Sequence, residues 1–233
     1  MQRRQRELFS NPSNRAKPLR IIRSMAKQSV PTALPLIPPN PTVSNLRKAA
    51  ADCTACPLFK NATQTVFGEG PAKATIMMAG EVPGNDEDLQ GKPFVGPAGR
   101  ELDKALQEIG LDRSQVYITN VVKHFKWTRE GKRRIHQTPN SAEIAACRPW
   151  FEAEIAAVQP RVIVLLGATA AKAVLGRDFR VTQHRGELMD SPLGPRVVAT
   201  VHPSAILRNP DQAARHEERR RFVEDLKTIL PLI

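Results

Sequence analysis

Four short apolar runs, separated by longer amphipathic stretches, constrain the fold more than any other feature of this chain. The runs cover residues 74–79, 116–119, 162–166 and 197–201, and each is short enough to be a strand. Strands that are apolar at successive positions are typical of parallel sheets covered on both faces. Helical patterns lie between them, so we predict an α/β fold: a three-layer αβα sandwich around a central four-stranded parallel sheet.

Three of the intervening helices have recognisable ends. A proline directly after Gly96 begins one helix, and its apolar face continues to Gly110. Asn140 and Glu143 have the spacing of a capping box and begin a second helix. A charged helix is predicted over 211–230.

Length and charge predict a single domain with a tail. The chain has 233 residues and a net charge of +12, of which residues 1–50 contribute +9. Residues 1–42 are basic and rich in proline, and they hold little that could form a core. We therefore predict a disordered tail over 1–42 and one domain over 43–233.

The chain carries no membrane or secretion signal that we recognise. Nothing approaches the roughly 18 consecutive apolar residues of a transmembrane helix, and the first 25 residues lack the apolar core of a signal peptide. Three cysteines cannot form a closed disulfide set, which favours a reducing cytoplasm of the bacterial type. An organellar presequence and a true start at Met25 are the alternatives.

Polar and aromatic residues follow the predicted strands, where parallel sheets bind their ligands. They are Gly80, Glu81, Gly84, Phe94, Asn120, His202 and Ser204. A carboxylate, an amide, an imidazole and an aromatic face together suit a pocket for a planar heterocycle. Taken singly, Asn120 is equally consistent with a turn residue, Phe94 with core and His202 with a structural histidine.

The segment between Asn120 and Asn140 is strongly basic. It contains Lys132, Arg133, Arg134 and Ile135, followed by His136, which we place at the tip of a basic loop. Cations clustered in this way suit a phosphate backbone and would carry the histidine to a polyanion. A solvated charged loop is the alternative explanation.

These blocks resemble the family 4 uracil-DNA glycosylases. The resemblance rests on G-E-x-P-G, G-x-P-F-V-G-x-x-G, a strand ending in T-N, and H-P-S, and it covers roughly residues 47–230. The inserted K-R-R-I-H resembles the UdgX branch of that family. Val82 departs from it, because that branch usually carries glutamine there and conventional members carry a small apolar residue.

The resemblance implies a role for each strand-end residue. Phe94 would stack on a uracil flipped out of DNA, Asn120 would read its amide edge, and His202 would hydrogen-bond the departing uracil anion. The remaining substrate-binding residues would be Gly80, Gly84 and Ser204.

Resemblance to the UdgX branch further implies that His136 captures the sugar covalently. Glu81 would orient His136 or accept its proton, and Lys132, Arg133 and Arg134 would hold DNA phosphates. The alternatives are a conventional multiple-turnover glycosylase and a non-catalytic iron–sulfur DNA-binding module. The expected partner is uracil-containing DNA, single- or double-stranded, bound by a monomer.

Cys53-x-x-Cys56 has metal or redox spacing. By resemblance, Cys53, Cys56 and Cys147 match three ligands of the family's [4Fe–4S] cluster, and His124 stands at the fourth position. Imidazole can ligate such clusters. The same four ligands also suit zinc, which is the alternative cofactor.

Overall fold

The computed structural model describes residues 31–233, and the predicted tail lies outside the described residues over 1–30. The strands are β1 (Ile76–Gly80), β2 (Val116–Asn120), β3 (Trp127–Glu130), β4 (Arg133–His136), β5 (Val162–Leu166), β6 (Leu188–Met189) and β7 (Arg196–Thr200). The α-helices are α1 (Val43–Ala50), α2 (Asn85–Gln90), α3 (Pro97–Glu108), α4 (Ser141–Val158), α5 (Ala168–Leu175), α6 (Val181–His184), α7 (Pro203–Arg208) and α8 (Gln212–Lys227).

The central sheet has the strand order β2-β1-β5-β7-β6. Its parallel members, β1, β2, β5 and β7, are the four strands that the apolar runs predict. The strand β6 pairs antiparallel with β7 and makes the sheet five-stranded. The prediction of four strands therefore misses the edge strand β6, because a strand of two residues is too short to show a sequence pattern.

Helices cover both faces of the sheet. On one face the strand side chains pack with Leu46 of α1 and Trp150 of α4. On the other face they pack with Leu102 of α3 and Phe222 of α8. The predicted three-layer α/β architecture is confirmed, and burial on both faces explains why the parallel strands are apolar throughout.

The predicted helix ends agree with the structure. Asn140 caps α4 by accepting the N–H of Glu143, whose carboxylate accepts the N–H of Asn140 in return. The helix α3 begins at Pro97, directly after Gly96, and α8 begins after Asp211.

The basic segment folds differently from its prediction. The strands β3 and β4 form an antiparallel hairpin apart from the main sheet, turning at Gly131 with φ +57°. His136 pairs with Trp127 at the open end of this hairpin, so its predicted position at the tip of a loop is wrong. The hairpin strands are exposed and charged, and they lack the apolar alternation that would have identified them.

Part of the predicted tail packs on the domain. Ala33 is fully buried, and its N–H donates to the carbonyl of Ala146 in α4 at 2.9 Å. In the part of the chain that the structure describes, no helix is both long and apolar enough to cross a bilayer.

Candidate active site at the carboxyl edge of the sheet

The carboxyl ends of the parallel strands border a cavity of about 930 Å³. The register sets Gly80 beside Asn120 and Leu166 beside Thr200, so the residues that follow these strands meet at one edge. Seven predicted site residues line the cavity: Glu81, Gly84, Phe94, Asn120, His136, His202 and Ser204. The structure thus brings together residues that span more than half of the chain.

Gly80 lies between the ring of Phe94 and the side chain of Asn120. A Cβ atom at this glycine would stand 2.4 Å from Asn120 Oδ1 and 2.7 Å from the Phe94 ring. Both neighbours are almost completely buried. The strand β1 therefore has to end in glycine for the aromatic face and the amide to lie side by side.

The backbone of Phe94 is held in an unusual conformation. Its φ of +55° lies in the left-handed region, which bulky residues seldom adopt. Gly99 in α3 permits it, since a Cβ atom there would overlap the Phe94 carbonyl oxygen at 1.7 Å. Strain of this kind persists where the surroundings fix it, and it clusters at functional sites.

Gly84 closes the loop that follows β1. Its N–H donates to the carboxylate of Glu87 at the start of α2, and a Cβ atom there would collide with the same carboxylate. Burial raises the pKa of Glu87. This contact fixes the segment that carries Glu81.

His202 is held in one tautomer by Ser204. The backbone N–H of Ser204 donates to His202 Nδ1 at 3.2 Å, and the Ser204 hydroxyl lies 2.8 Å from the same nitrogen. Because Nδ1 accepts the backbone N–H, the neutral ring carries its proton on Nε2. The Phe94 ring lies beside it, with 5.6 Å between centroids.

Arg208 belongs to this site although the sequence analysis missed it. It lines the cavity, and its Nη1 donates to Ser204 Oγ at 3.1 Å, which turns the Ser204 hydroxyl proton toward His202. Burial, aided by the charge of Arg208, lowers the pKa of His202 to about 4. The four-residue spacing of Ser204 and Arg208 on α7 is the signal that could have identified the pair.

His136 enters the cavity from the hairpin. Burial lowers the pKa of His136, Glu81 opposes that shift, and Arg208 adds to it. Glu81 Oε1 is buried, and no hydrogen-bond partner for it exists within residues 31–233. A buried carboxylate oxygen without a partner is costly, so Glu81 offers an acceptor that the cavity leaves available.

Arg134 is committed to a partner inside the protein. Its Nη1 lies 2.6 Å from Asp88 Oδ2, and its Nε donates to Asn85 Oδ1 at 2.8 Å. Asp88 is fully buried in α2 and also accepts hydrogen bonds from Thr63. Arg134 thus fastens β4 to the helix that follows Glu81.

The other two cations of this segment point outward. Lys132 and Arg133 are exposed beside the hairpin turn, and their side chains make no hydrogen bond or ion pair with any residue the structure describes. Lys132 and Arg133 are thus unpaired among the residues that the structure describes, whereas Arg134 is paired with Asp88.

The predicted metal ligands lie away from the cavity. Cys53, Cys56 and Cys147 are buried in one core cluster. The N–H of Lys123 donates to Cys147 Sγ, and the Trp150 indole N–H donates to Cys53 Sγ, each at 3.2 Å. Burial raises the pKa of Cys147 to about 12.

His124 is the fourth predicted ligand. It is 4% exposed, its Nε2 lies 2.9 Å from Thr65 Oγ1, and burial lowers its pKa to about 4. Among residues 31–233, no three Cys, His, Asp or Glu side chains are arranged to hold one metal ion.

The sequence that forms this sheet and the cavity at its carboxyl edge matches a known protein family. Residues 67–227 match the model of the uracil DNA glycosylase superfamily. The match spans more than half of the chain, and the protein belongs to this superfamily.

Several similar proteins belong to one type within that superfamily. A type-4 uracil-DNA glycosylase of Thermotoga maritima is 44% identical over 177 residues, which cover 75% of this chain and 86% of that protein. A type-4 enzyme of Sulfurisphaera tokodaii is 37% identical over 82% of this chain and 84% of its own. A third, from Archaeoglobus fulgidus, is 33% identical, and the match covers 79% of this chain and 93% of that protein. The resemblance to family 4 is supported, and these relatives do not distinguish the UdgX branch.

The depressed pKa of His202 predicts a pH-dependent stability. The unfolded chain takes up this proton near pH 6.5, but the folded protein takes it up only near pH 4. The contribution of the neutral ring is therefore complete above pH 6.5 and is lost as the pH falls toward 4. Between pH 7 and pH 5 the free energy of unfolding of the wild type should fall by on the order of 1–2 kcal/mol more than that of His202→Gln. This range allows for the partial exposure of the ring.

Denaturant unfolding at several pH values measures this difference. His216→Gln, on the exposed surface of α8, is the matched control and should follow the wild type. If the free energies of unfolding of the wild type and His202→Gln change equally with pH, the lowered pKa assigned to His202 is wrong.

Proposed function

We propose that this protein is a uracil-DNA glycosylase of DNA base repair that stays covalently bound, through His136, to the sugar whose base it removes. The observation that carries the proposal is the presence of the His136 imidazole in one cavity with Phe94, Asn120 and His202. The type-4 relatives are uracil-DNA glycosylases, and the matched region covers 84–86% of two of them, which supports uracil as the base.

Uracil recognition follows from the chemistry of two side chains. A base flipped into the cavity would stack on Phe94, and Asn120 would pair with its amide edge. Cytosine presents the opposite donor and acceptor polarity at that edge. A mispaired buried polar group costs about 1–3 kcal/mol, which is sufficient for strong discrimination.

Cleavage breaks the bond between the sugar C1′ and the uracil N1. Its electron pair leaves with uracil, and negative charge develops on the base. The Nε2–H of His202, fixed by Ser204, would donate a hydrogen bond to the uracil O2 and stabilise that anion. The sugar is left electron-poor at C1′.

Capture forms a new bond from an imidazole nitrogen of His136 to that C1′. The ring then carries a positive charge and loses its other nitrogen-bound proton to the Glu81 carboxylate. The lowered pKa of His136 keeps the attacking lone pair free at neutral pH. The free Glu81 oxygen supplies the acceptor.

Position decides whether histidine or water reaches the sugar first. A tethered and oriented nucleophile has a very large effective concentration. The ion pair of Arg134 with Asp88 supplies the tether, because it joins the His136 strand to α2. Lys132 and Arg133 would contact flanking phosphates of single- or double-stranded DNA, and the protein would act as a monomer in the cytoplasm.

Ordinary hydrolysis is the second candidate, and Val82 favours it. Val82 is 7% exposed and lines the cavity beside Glu81. An apolar side chain there matches conventional family 4 members, in which water captures the sugar. Such an enzyme would turn over repeatedly and release free uracil.

The resemblance to family 4 favours a [4Fe–4S] cluster over a zinc ion at the buried thiols. Such clusters are held by Cys thiolates, and imidazole can replace some of them. N–H groups already point at two of the sulfurs, as is favourable for thiolates. Cys53, Cys56, Cys147 and His124 would hold the cluster, which would pin the first helix to the base of the hairpin.

His136→Ala should abolish the covalent product. Wild-type protein mixed with a labelled uracil-containing oligonucleotide should give a heat- and detergent-stable shifted band on a denaturing gel. The variant should give no band, because alanine offers no nucleophile, although slow uracil release can continue through water. His216→Ala, remote from the cavity, should cross-link like the wild type.

The same gel separates the candidate functions. Uracil release without any band would establish ordinary hydrolysis. A protein that binds the oligonucleotide but releases no uracil would be a non-catalytic module.

Arg134→Ala should slow cross-linking without changing how binding depends on salt. Loss of the Asp88 pair frees β4, and misplacement of a nucleophile by about 1 Å can cost roughly 100-fold. Lys132→Ala should instead weaken DNA binding. It should also reduce the salt slope, which is the slope of the logarithm of the binding constant against the logarithm of the salt concentration, by about one. A salt slope that falls with Arg134→Ala would show that Arg134 holds a phosphate after all.

Anaerobically purified protein should be brown and contain roughly four iron atoms per chain, together with sulfide. Cys147→Ser should lower the iron content and the visible absorption. Colourless protein that contains zinc would contradict the cluster.

A further inference from the structure

A buried ion pair lies directly behind the residue that would read uracil. Lys123 follows β2 by three residues, Glu154 lies on α4, and both side chains are completely buried. Such a pair often stabilises a fold less than apolar side chains of similar volume would. Neither residue lines the cavity, so direct contact with a bound base does not account for this buried pair.

All three ammonium protons of Lys123 have acceptors. They are donated to Thr119 Oγ1 at 2.7 Å, to the backbone carbonyl of Asn120 at 2.6 Å, and to the Glu154 carboxylate. The ammonium also lies over the ring of Phe67, 5.5 Å from its centroid. The Lys123 side chain thus makes all three hydrogen bonds available to it in a completely buried position.

The carboxylate of Glu154 is also saturated. It accepts the N–H of Gly68 at 3.0 Å, the hydroxyl of Tyr117 at 2.9 Å and the hydroxyl of Thr119 at 3.1 Å, in addition to Lys123. A Cβ atom at Gly68 would lie 2.4 Å from this carboxylate, so the segment before β1 is packed tightly against it. Glu154 therefore connects α4, β2 and that segment.

The contact with the Asn120 carbonyl has a specific consequence. The strand β2 pairs with β1 along one edge, and on its other edge Ile118, two residues before Asn120, makes an isolated bridge with Glu69. The ammonium of Lys123 holds the Asn120 carbonyl independently of these pairings. Fixing this peptide fixes the direction of the Asn120 side chain, which has to pass over Gly80 to reach the cavity.

We propose that Lys123, charge-balanced by Glu154, is a positioning residue that sets the Asn120 amide for uracil recognition. The proposal rests on the function proposed above. It assigns to the buried pair a role in recognising the base, beyond its contribution to stability.

The double substitution Lys123→Met with Glu154→Gln tests this role. Glutamine keeps acceptors for Gly68 and Tyr117 and removes the negative charge that would otherwise be stranded, while methionine removes the hold on the Asn120 carbonyl. At a temperature where the variant is folded, its dissociation constant for free uracil should rise roughly tenfold, as for loss of one well-placed hydrogen bond. Binding to an oligonucleotide that contains thymine in place of uracil should be unchanged.

Tyr117→Phe is the matched control. It removes one donor from the same carboxylate and leaves the contact between Lys123 and Asn120 intact. It should lower the melting temperature and keep the uracil affinity of the wild type. If the double variant does not fold, Thr119→Val removes the hydroxyl that bridges Lys123 and Glu154 and should weaken uracil binding a fewfold.

Two failures are distinguishable. Wild-type uracil affinity in the folded double variant, or in Thr119→Val when that variant is used, would overturn the positioning role and leave the proposed function standing. A wild-type protein that neither binds uracil nor releases it from DNA would overturn the proposed function, and this inference with it.

Discussion

The hydrogen bonding of four parallel strands is the constraint on which the site depends. It places Gly80 beside Asn120 and Leu166 beside Thr200, so that loops from distant parts of the chain end around one cavity. The site adds close packing to this arrangement, since Gly80 leaves room for Phe94 and Asn120 to lie together. The side-by-side placement of Phe94 and Asn120 is thus a consequence of sheet register and of the absence of a side chain at Gly80.

His136, the proposed nucleophile, comes from outside that sheet. It lies on a separate exposed hairpin, which is held to α2 by the pair of Arg134 with buried Asp88. The proposed chemistry needs His136 neutral and close to Glu81, and the same cavity also keeps His202 neutral. In the proposed mechanism, the sheet edge provides the surface for the base, and the attached hairpin carries the nucleophile.

Much of the fold and of the cavity lining was predictable, because apolar runs and strand-end motifs are local signals. The helix cap at Asn140 and all four parallel strands fall in this class. The hairpin was not predictable, since exposed charged strands leave no apolar alternation. The pairing of Arg134 with Asp88 was not predictable either, because the two residues lie 46 positions apart in sequence. Pairings of that kind, like Lys123 with Glu154, depend on the folded topology.

The most direct test of the account is to identify the modified residue in the covalent complex. Wild-type protein would be reacted with a uracil-containing oligonucleotide, digested with nuclease and protease, and analysed by tandem mass spectrometry. The account predicts one peptide that carries a deoxyribose adduct, with the modification on His136. An adduct on another residue, or none in a protein that releases several equivalents of uracil, would contradict it.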